Sequence, residues 1–291
     1  MQVLGSQEFK LNEDSVTFNK KFFMSVALTL TPLKRIPLIQ PRDDLVDIIL
    51  TGLRDSQITL KNYDILVLAQ KIISKAEGRQ VNITTVDPSA DAVAYAAAAN
   101  KDPKLVELIL RESREVLRVR PGLMIVEHRL GFICANAGID HSNVSPPGVF
   151  DDDLDAAEKS NPDDWVLLLP ENPDRSAEKL RKALEVETGM ILGIAIIDSH
   201  GRAWRNGVVG VTIGISGIPG VVDKRGEKDL FGYELKATEI GTADELAAAA
   251  SLMMGQVAEG TPIVHVRGFP YPLREAGMGE LIRSKEMDLF R

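Results

Sequence analysis

Apolar and polar positions follow two distinct patterns along this chain, and each pattern predicts its own kind of element. Apolar residues recur at helical spacing over 43–55 and over 174–189, which predicts two amphipathic helices, the second ending at Gly189. Short continuous apolar runs are typical of buried strands, and they occur at 64–70, 165–170, 191–201 and 261–269. This irregular alternation predicts an α/β (mixed α+β) fold with a large mixed sheet and flanking helices.

Three further segments carry a readable pattern. Ser and Thr alternate with apolar residues over 25–31, which predicts a first strand rather than a signal peptide. Residues 88–119 predict a helical pair broken at Asp102–Pro103. Residues 120–138 predict a β-hairpin, followed by a polar, Pro-rich loop over 142–164.

The segment 242–260 predicts a helix near the end of the chain. Thr242 is its expected N-cap and Glu245 stands at the capping-box position. Gln256 and Glu259 then fall in the polar last turn. Because an acid at a helix C-terminus opposes the helix dipole, Glu259 is a candidate ligand-site residue, with an ordinary surface position as the alternative.

Composition narrows the classes of function. The chain has 291 residues, of which 44% are hydrophobic and 26% charged, so a sizeable core is expected and a mostly disordered chain is excluded. The formal net charge of −8 makes nucleic acid an unfavourable main partner. An anionic small substrate would therefore need a local basic patch or a metal ion.

Cysteine content and hydropathy bear on the compartment. Cys134 is the one cysteine, so no intrachain disulfide forms, and its apolar run predicts a buried structural thiol. No apolar run approaches the length of a membrane-spanning helix. We expect a cytoplasmic protein without a membrane partner.

Two oxygen-rich turns are the main candidates for chemistry. Asp140 and Asp198 each follow an apolar strand and precede a histidine, His141 or His200. Two carboxylates held at strand ends form a site of the kind that Mg²⁺ or Mn²⁺ prefers, and such ions bridge nucleotide phosphates. The sequence thus predicts that the turns meet and hold a divalent metal against a nucleotide, with simple Asx-turns as the alternative.

Other polar residues supplement these turns. Lys75 follows a buried strand and can meet a phosphate as a point charge, or simply be solvated. Asn136 and Asn143 can hydrogen-bond a nucleotide. His128 and His265 lie on strand patterns and are expected in the core or at its rim.

The chain has no P-loop, dinucleotide fingerprint, Cys/His zinc spacing or GxSxG motif. The glycines of 207–220 are expected to mark bulges or close backbone packing, with a phosphate cradle as the alternative.

An ordered set of motifs gives the chain a family resemblance. The motifs are IPLI (36–39), QKIISKAEGR (70–79), NAGIDHSN (136–143), the long block 196–235 and MGQVAEGTPIV (254–264). Together they resemble the coenzyme F420-0:L-glutamate ligases, or γ-glutamyl ligases. The resemblance covers residues 24–269, which we take as the catalytic region, built from two intertwined subdomains. Residues 1–23 are an N-terminal extension and 270–291 a C-terminal tail.

The resemblance implies an activity and its cofactors. The activity is the GTP-dependent addition of L-glutamate to coenzyme F420-0 through an acyl phosphate, in coenzyme F420 biosynthesis. It further implies a homodimer, two divalent ions (Mg²⁺ or Mn²⁺) and K⁺ as a further candidate cation. A second, γ-linked glutamate can follow. The alternatives are a metal- and nucleotide-dependent small-molecule kinase and a non-catalytic nucleotide-binding dimer.

Site roles follow from the same resemblance. Asp140 and Asp198 would hold one metal, and Ser199 and Gln256 the second. Lys75 would act with the two aspartates in catalysis. The residues implied in nucleotide binding are Ile36, Pro37, Leu38, Ile39, Gln70, Lys75, Asn143, Met254, Gly255, Gln256, Val257, Ala258, Glu259, Gly260 and Thr261.

Overall fold

The largest element of the structure, a computed structural model that describes residues 27–144, 146–147 and 161–289, is a five-stranded sheet. Its strand order is β1 (Thr29–Pro32), β12 (Ile263–Arg267), β2 (Asp64–Ala69), β8 (Leu192–Arg202) and β9 (Arg205–Ser216). Strands β2 and β8 are parallel, whereas the other neighbours pair antiparallel. The sheet is therefore mixed, as predicted.

Both faces of this sheet are buried, which explains why its central strands are continuous apolar runs. Successive side chains on a strand point to opposite faces. On β2, Ile65 and Val67 pack in one core with helix α6 (Thr242–Met254). Leu66 and Leu68 pack in a second core, which also contains residues of helices α1 (Leu45–Asp55) and α5 (Pro173–Thr188).

Two glycines of β9 let helices approach the sheet closely. A Cβ at Gly210 would lie 2.6 Å from the Ala247 carbonyl oxygen of α6, and one at Gly214 would lie 2.5 Å from the Pro173 backbone at the start of α5. At these two positions the prediction of close backbone packing is confirmed. The helix predicted over 174–189 is confirmed as well, and it ends at Gly189 with a left-handed φ of 67°.

Smaller sheets and helices complete the described fold. A three-stranded antiparallel sheet contains the predicted hairpin. Two helices confirm the break at Pro103. The remaining elements are the strands β3 (Gln80–Asn82), β4 (Ser113–Arg120), β5 (Leu123–His128), β6 (Ile133–Ala135), β7 (Trp165–Leu167), β10 (Val222–Asp223) and β11 (Glu239–Ile240), and the helices α2 (Gln70–Ala76), α3 (Ala90–Ala99) and α4 (Pro103–Arg111).

Two predictions of element type are wrong. The end of the predicted helical pair, 113–119, forms strand β4, because this segment pairs along its length with β5. The polar turn expected after β2 is instead helix α2. Its Ile72 and Ile73 are buried, so this short segment packs into the core in helical form.

The predicted ends of the helix at 242–260 are also wrong. Gly241 is the N-cap, without a side-chain hydrogen bond, and the Thr242 hydroxyl instead donates to the carbonyls of Pro219 and Gly220. The helix ends at Met254, so the segment that follows it is a loop.

The remaining predictions concern boundaries and assembly. Thr29–Pro32 confirms a first strand, whereas the start of that segment, residues 1–23 and residues 148–160 of the polar loop lie outside the described ranges. The division into two subdomains and the homodimer stay predictions. Within the described ranges, every helix is too short or too polar to cross a membrane.

Candidate active site

A cleft of about 650 Å³ opens at the carboxyl ends of the two parallel strands β2 and β8. Its floor includes Ala69–Ile72 and Ile197–Gly201, where those strands end or leave the core. In open α/β sheets, ligands bind outside the carboxyl ends of parallel strands. The cleft therefore lies where the fold itself favours a ligand.

The cleft gathers the residues predicted to bind nucleotide and metal. They come from separate parts of the chain, and each of them lines this one cavity: Ile36, Pro37, Leu38, Ile39, Gln70, Lys75, Asp140, Asn143, Asp198, Ser199, Met254, Gly255, Gln256, Val257, Ala258, Glu259, Gly260 and Thr261. The expected meeting of the two oxygen-rich segments is thus observed. Their roles in binding stay predictions.

Asp140 is held firmly by its backbone and by a lysine. Its N–H and C=O form a two-way bridge with Leu167, at 3.0 and 2.8 Å. Lys71 Nζ lies 2.6 Å from Asp140 Oδ2, while the backbone N–H and hydroxyl of Ser142 donate to Oδ1. Burial raises the pKa of Asp140, but the hydrogen bond and charge of Lys71 outweigh it, so the pKa is lowered overall. The carboxylate is accordingly charged at neutral pH.

Asp198 lies within strand β8, which confirms the strand predicted over 191–201, and not in a turn after it, because pairing with β9 continues as far as Arg202. His200, two residues along on the same face, places Nε2 2.9 Å from Asp198 Oδ2. The His200 ring packs in turn on Phe132, with ring centroids 5.5 Å apart. Asp198 is therefore fixed by the strand and by an oriented imidazole.

Ser199 and Gln256 form a second oxygen pair. The Ser199 hydroxyl donates to Gln256 Oε1 at 2.9 Å, and Gln256 Nε2 donates to the Ser251 hydroxyl of α6 at 2.9 Å. The contact with Ser251 orients the amide, so that its oxygen faces β8. Ser251 was not singled out from the sequence, since a buried serine on an apolar helix carries no pattern of its own.

The loop 254–261 closes one side of the cleft. Asn143 Nδ2 donates to the Val257 carbonyl at 2.9 Å, which ties the loop to the Asp140 segment. The Glu259 carboxylate accepts from the Val257 N–H at 2.8 Å. Glu259 follows α6 rather than ending it, so the argument from the helix dipole is wrong, although the residue lines the cleft.

Two lysines give the cleft its positive charge. Lys71 pairs with Asp140, whereas the Lys75 ammonium makes no hydrogen bond or ion pair with any residue in the described ranges. Burial, together with the charge of Lys71, lowers the pKa of Lys75. A half-buried ammonium without a counter-ion favours an anionic ligand. Sequence reasoning named Lys75 and missed the Lys71–Asp140 pair, which depends on contact between distant segments.

The oxygen donors of the cleft are of the kind that a hard metal ion prefers. In the described part of the chain, no three or more His, Cys, Asp and Glu side chains cluster as a metal site. The oxygens on offer are two carboxylates, a hydroxyl and an amide, from Asp140, Asp198, Ser199 and Gln256. Such hard oxygen donors fit Mg²⁺ or Mn²⁺, which are bound through one or two carboxylates together with substrate phosphates. The set does not resemble a zinc site.

Several other candidates have structural partners. Asn136 Oδ1 accepts from the Met124 N–H, away from any ligand role. Gln70 is 1% exposed, and its Oε1 accepts from the Ser74 hydroxyl, whereas its buried Nε2 has no hydrogen-bond partner among the described residues. His128 and His265 are buried as predicted, and His141 is exposed. Cys134 is buried as predicted. Burial raises its pKa to about 12, with a contribution from the Asp198 charge, so the thiol is inert.

Comparison with known proteins gives the class of this molecule. The chain is 42% identical to the coenzyme F420:L-glutamate ligase of Methanothermobacter thermautotrophicus over 268 residues, 91% of this chain and 100% of that protein. It is 42% identical to the enzyme of that name from Methanocaldococcus jannaschii (81% and 88% covered) and 40% identical to that of Archaeoglobus fulgidus (89% and 95% covered). The chain is therefore an enzyme, and its class is that of the ligases.

The family can be stated as well. The family model described as F420-0:Gamma-glutamyl ligase matches residues 34–268. The chain belongs to this family. The match spans the cleft from its Ile36–Ile39 edge to the 254–261 loop, so the residues that line the cavity fall inside the family region.

Proposed function

We propose that this chain joins L-glutamate to coenzyme F420-0 in a GTP-dependent reaction, as a step of coenzyme F420 biosynthesis. The observation that carries the proposal is the single cleft that brings together Asp140, Asp198, Ser199, Gln256 and the unpaired Lys75. The names of the relatives supply the coenzyme and L-glutamate, and the cleft supplies charges suited to a nucleoside triphosphate.

Amide formation from a carboxylate requires activation. In the first step the γ-phosphoryl group of GTP passes to the terminal carboxylate of the acceptor, which gives an acyl phosphate and GDP. In the second step the α-amine of glutamate attacks the acyl carbon, the C–O bond to phosphate breaks, and the amine loses a proton. A further glutamate can then join through the γ-carboxylate by the same two steps.

The side chains of the cleft have separate tasks in this scheme. Asp140 and Asp198 would hold one divalent ion, Ser199 and Gln256 a second, and K⁺ is a further candidate. When bound, these ions neutralise charge on the phosphates during transfer. The segments Ile36–Ile39 and 254–261 would enclose the nucleotide, and Asn143 would orient the loop through its bond to Val257.

Lys75 and His200 act by charge and by position. Lys75 would meet a phosphate oxygen, and the contact would compensate the cost of its burial. His200 holds Asp198 through Nε2, which makes it a positioning residue in this scheme. Much of the remaining rate enhancement would come from holding carboxylate, phosphoryl group and amine in line.

The test is phosphate release from GTP with Mg²⁺ or Mn²⁺, omitting the deazaflavin acceptor and L-glutamate in turn, with mass spectrometry of the acceptor. Release that needs both, with a product heavier by one or more glutamyl residues, supports the ligase. Release without glutamate would indicate a kinase or a plain GTPase. The absence of release in every combination would leave a nucleotide-binding module.

We propose that the active form is a homodimer. The described surface carries large apolar side chains on the β10–β11 connection, where Leu230 is 98% and Phe231 94% exposed. The backbone N–H groups of Phe231 and Tyr233 both donate to the Asp229 carboxylate. These hydrogen bonds fix the conformation of the turn that carries the exposed side chains. Light scattering at micromolar concentration should give twice the chain mass. A monomer that ligates at full rate would contradict the proposal.

A further inference from the structure

The tip of the β8–β9 hairpin carries an exposed tryptophan between two arginines. Arg202 pairs with Arg205 across the end of the ladder, and Ala203 and Trp204 form the turn. Trp204 is 88% exposed. A large aromatic side chain left so exposed at one specific point often marks a binding site.

The backbone at this position makes the choice of residue unusual. Trp204 has a φ of 61°, in the left-handed region. Gly and Asn adopt that conformation readily, whereas a bulky side chain is disfavoured there. The backbone conformation alone would therefore favour Gly or Asn at this position. Strained backbone of this kind recurs at functional sites, where the side chain is needed in one place.

The hairpin tip is a direct extension of the cleft. Ile197–Gly201 of β8 line the cavity, and the strand runs on to Arg202. At ~3.3 Å per residue, the three residues from Ser199 to Arg202 span about 10 Å. A rigid strand thus carries the ring from the metal-binding oxygens to a point outside the cleft mouth.

Charge at the tip favours an anion. Arg202 and Arg205 are exposed, in a chain with a formal net charge of −8. One guanidinium nitrogen of Arg202 donates to the Gly207 carbonyl at 3.0 Å, which fixes that side chain along the hairpin. The Arg205 guanidinium makes no hydrogen bond or ion pair with the described residues. An aromatic ring beside a free guanidinium suits a planar ligand that carries a phosphate.

We propose that Trp204 stacks on the deazaflavin ring of the acceptor and that Arg205 faces the phosphodiester of its side arm. This assignment rests on the proposed function. The reacting carboxylate lies at the end of the arm, remote from the ring, so a carboxylate in the cleft requires the ring to lie well outside it. The guanine nucleotide is assigned to the opposite edge, at Ile36–Ile39 and the 254–261 loop, which leaves the hairpin tip to the acceptor.

The test measures acceptor binding directly, through the fluorescence anisotropy of the deazaflavin, with GDP and Mg²⁺ present so that no transfer occurs. Trp204→Asn removes the ring and relieves the left-handed backbone. We expect its melting temperature to match or exceed that of the wild type, while acceptor Kd rises about tenfold to a hundredfold, the range of one lost stacking contact. Trp204→Phe should retain most of the affinity. Arg205→Gln should weaken binding less than Trp204→Asn and make it less sensitive to salt.

Tyr63 provides a matched control. It is an exposed aromatic residue with a φ of 73°, directly before β2 and at the end of that strand away from the cleft. Tyr63→Asn should gain stability for the same backbone reason and leave acceptor Kd unchanged. If acceptor Kd rises in Trp204→Asn but not in Tyr63→Asn, the loss of affinity comes from the lost ring and not from a general change in the fold.

The outcomes distinguish this assignment from the proposed function. An unchanged acceptor Kd in Trp204→Asn overturns the assignment, even if the wild type joins glutamate to the acceptor. The assignment is also overturned if Trp204→Asn leaves the acceptor Kd unchanged and alters only the mass measured by light scattering. Trp204 would then contact a second copy of the chain. Tight acceptor binding that depends on Trp204, in a chain that forms no product, supports the assignment and refutes the ligase.

Discussion

Lys71 Nζ and Asp140 Oδ2 lie 2.6 Å apart, between helix α2 and the segment that follows β6. The pair keeps the Asp140 carboxylate charged and in one orientation at the mouth of the cleft. Lys71 also donates to the carbonyl and hydroxyl oxygens of Ser142, so it braces the whole segment that carries Asp140 and Asn143. Together with the two hydrogen bonds from Ser142 to Oδ1, these contacts hold the carboxylate charged and in place.

Removing either carboxylate charge should therefore affect turnover far more than folding. For Asp140→Asn and Asp198→Asn we expect kcat to fall by about 10²-fold or more, as for the loss of a group that stabilises charge in the transition state. Stability should change less, because the Asn amide retains a carbonyl acceptor. Kinetics at varied Mg²⁺, together with urea denaturation, separate the two effects.

Asp91 offers the matched control for this prediction. It is exposed in the first turn of α3, outside the cleft, and Asp91→Asn should leave kcat unchanged. If Asp198→Asn turned over at the wild-type rate with the same metal dependence, the assignment of Asp198 as a metal ligand would be refuted.

The sequence predicted the cleft residues better than it predicted their local structure. The large mixed sheet, the break at Pro103 and the stop at Gly189 follow from short-range patterns. Asp198 was placed in a turn because polar residues followed an apolar run, yet β9 pairs with that segment and keeps it extended. Pairing between strands depends on the partner, which a local pattern does not contain.

The contacts that orient the site were the least predictable. Lys71 pairs with a carboxylate 69 positions away, at Asp140, and Ser199 with an amide 57 positions away, at Gln256. Neither pair has a spacing that could be recognised along the chain. The family resemblance found Ser199 and Gln256 without these contacts, because a resemblance carries over residues rather than geometry.

Lys75 should trade stability for nucleotide binding. Burial, and secondarily the charge of Lys71, lowers the pKa of Lys75. The unfolded chain therefore holds this proton more tightly than the folded chain does. As a result, the protein gains stability as pH rises from the folded pKa toward the unfolded pKa. At pH 7.5, Lys75→Met should thus melt at or above the wild-type temperature. We expect its KM for GTP to rise about 10- to 100-fold, for the loss of one charged hydrogen bond.

Lys101 isolates the kinetic part of that prediction. Burial lowers the pKa of Lys101 too, but this residue lies between α3 and α4 rather than in the cleft. Lys101→Met should gain stability in the same direction and leave the KM for GTP unchanged. Equal KM values in both variants would exclude Lys75 as a phosphate contact.

Gly255 should control the shape of the nucleotide loop. Its φ of 73° and ψ of −174° belong to a region that only glycine enters readily, and a Cβ there would overlap the Glu259 carboxyl carbon. Gly255→Ala must therefore strain the backbone and displace the Glu259 carboxylate, which accepts from the Val257 N–H. We expect the KM for GTP to rise about tenfold or more, as for the misplacement of a positioning element.

The control for Gly255 is a glycine that also has a positive φ but has free space around it. Gly189 ends α5 with a φ of 67°, and a Cβ there would meet nothing within 4 Å. Gly189→Ala should lower the melting temperature without changing the KM for GTP. If Gly255→Ala showed the same two results, the loop would not contribute to nucleotide binding.

His128 should make the fold sensitive to acid. The ring is 2% exposed, and its Nδ1 accepts from the Leu130 N–H, so the neutral form carries its proton on Nε2. Burial, then the charges of Arg129 and Arg79, lowers the pKa of His128 to about 4. The unfolded chain takes up this proton near pH 6.5, so the stabilisation is complete above that pH and is lost as pH falls toward 4.

The expected loss between pH 7.5 and pH 5 is about 2 kcal/mol of the free energy of unfolding. Urea denaturation of the wild type and of His128→Asn at both values measures it. The variant keeps a hydrogen-bond acceptor for Leu130 but leaves unfilled space, so it should be less stable at pH 7.5. Its free energy should then fall less on acidification, since every other titrating group is shared. Two proteins that lose equal stability between these pH values would show that His128 does not supply the acid sensitivity.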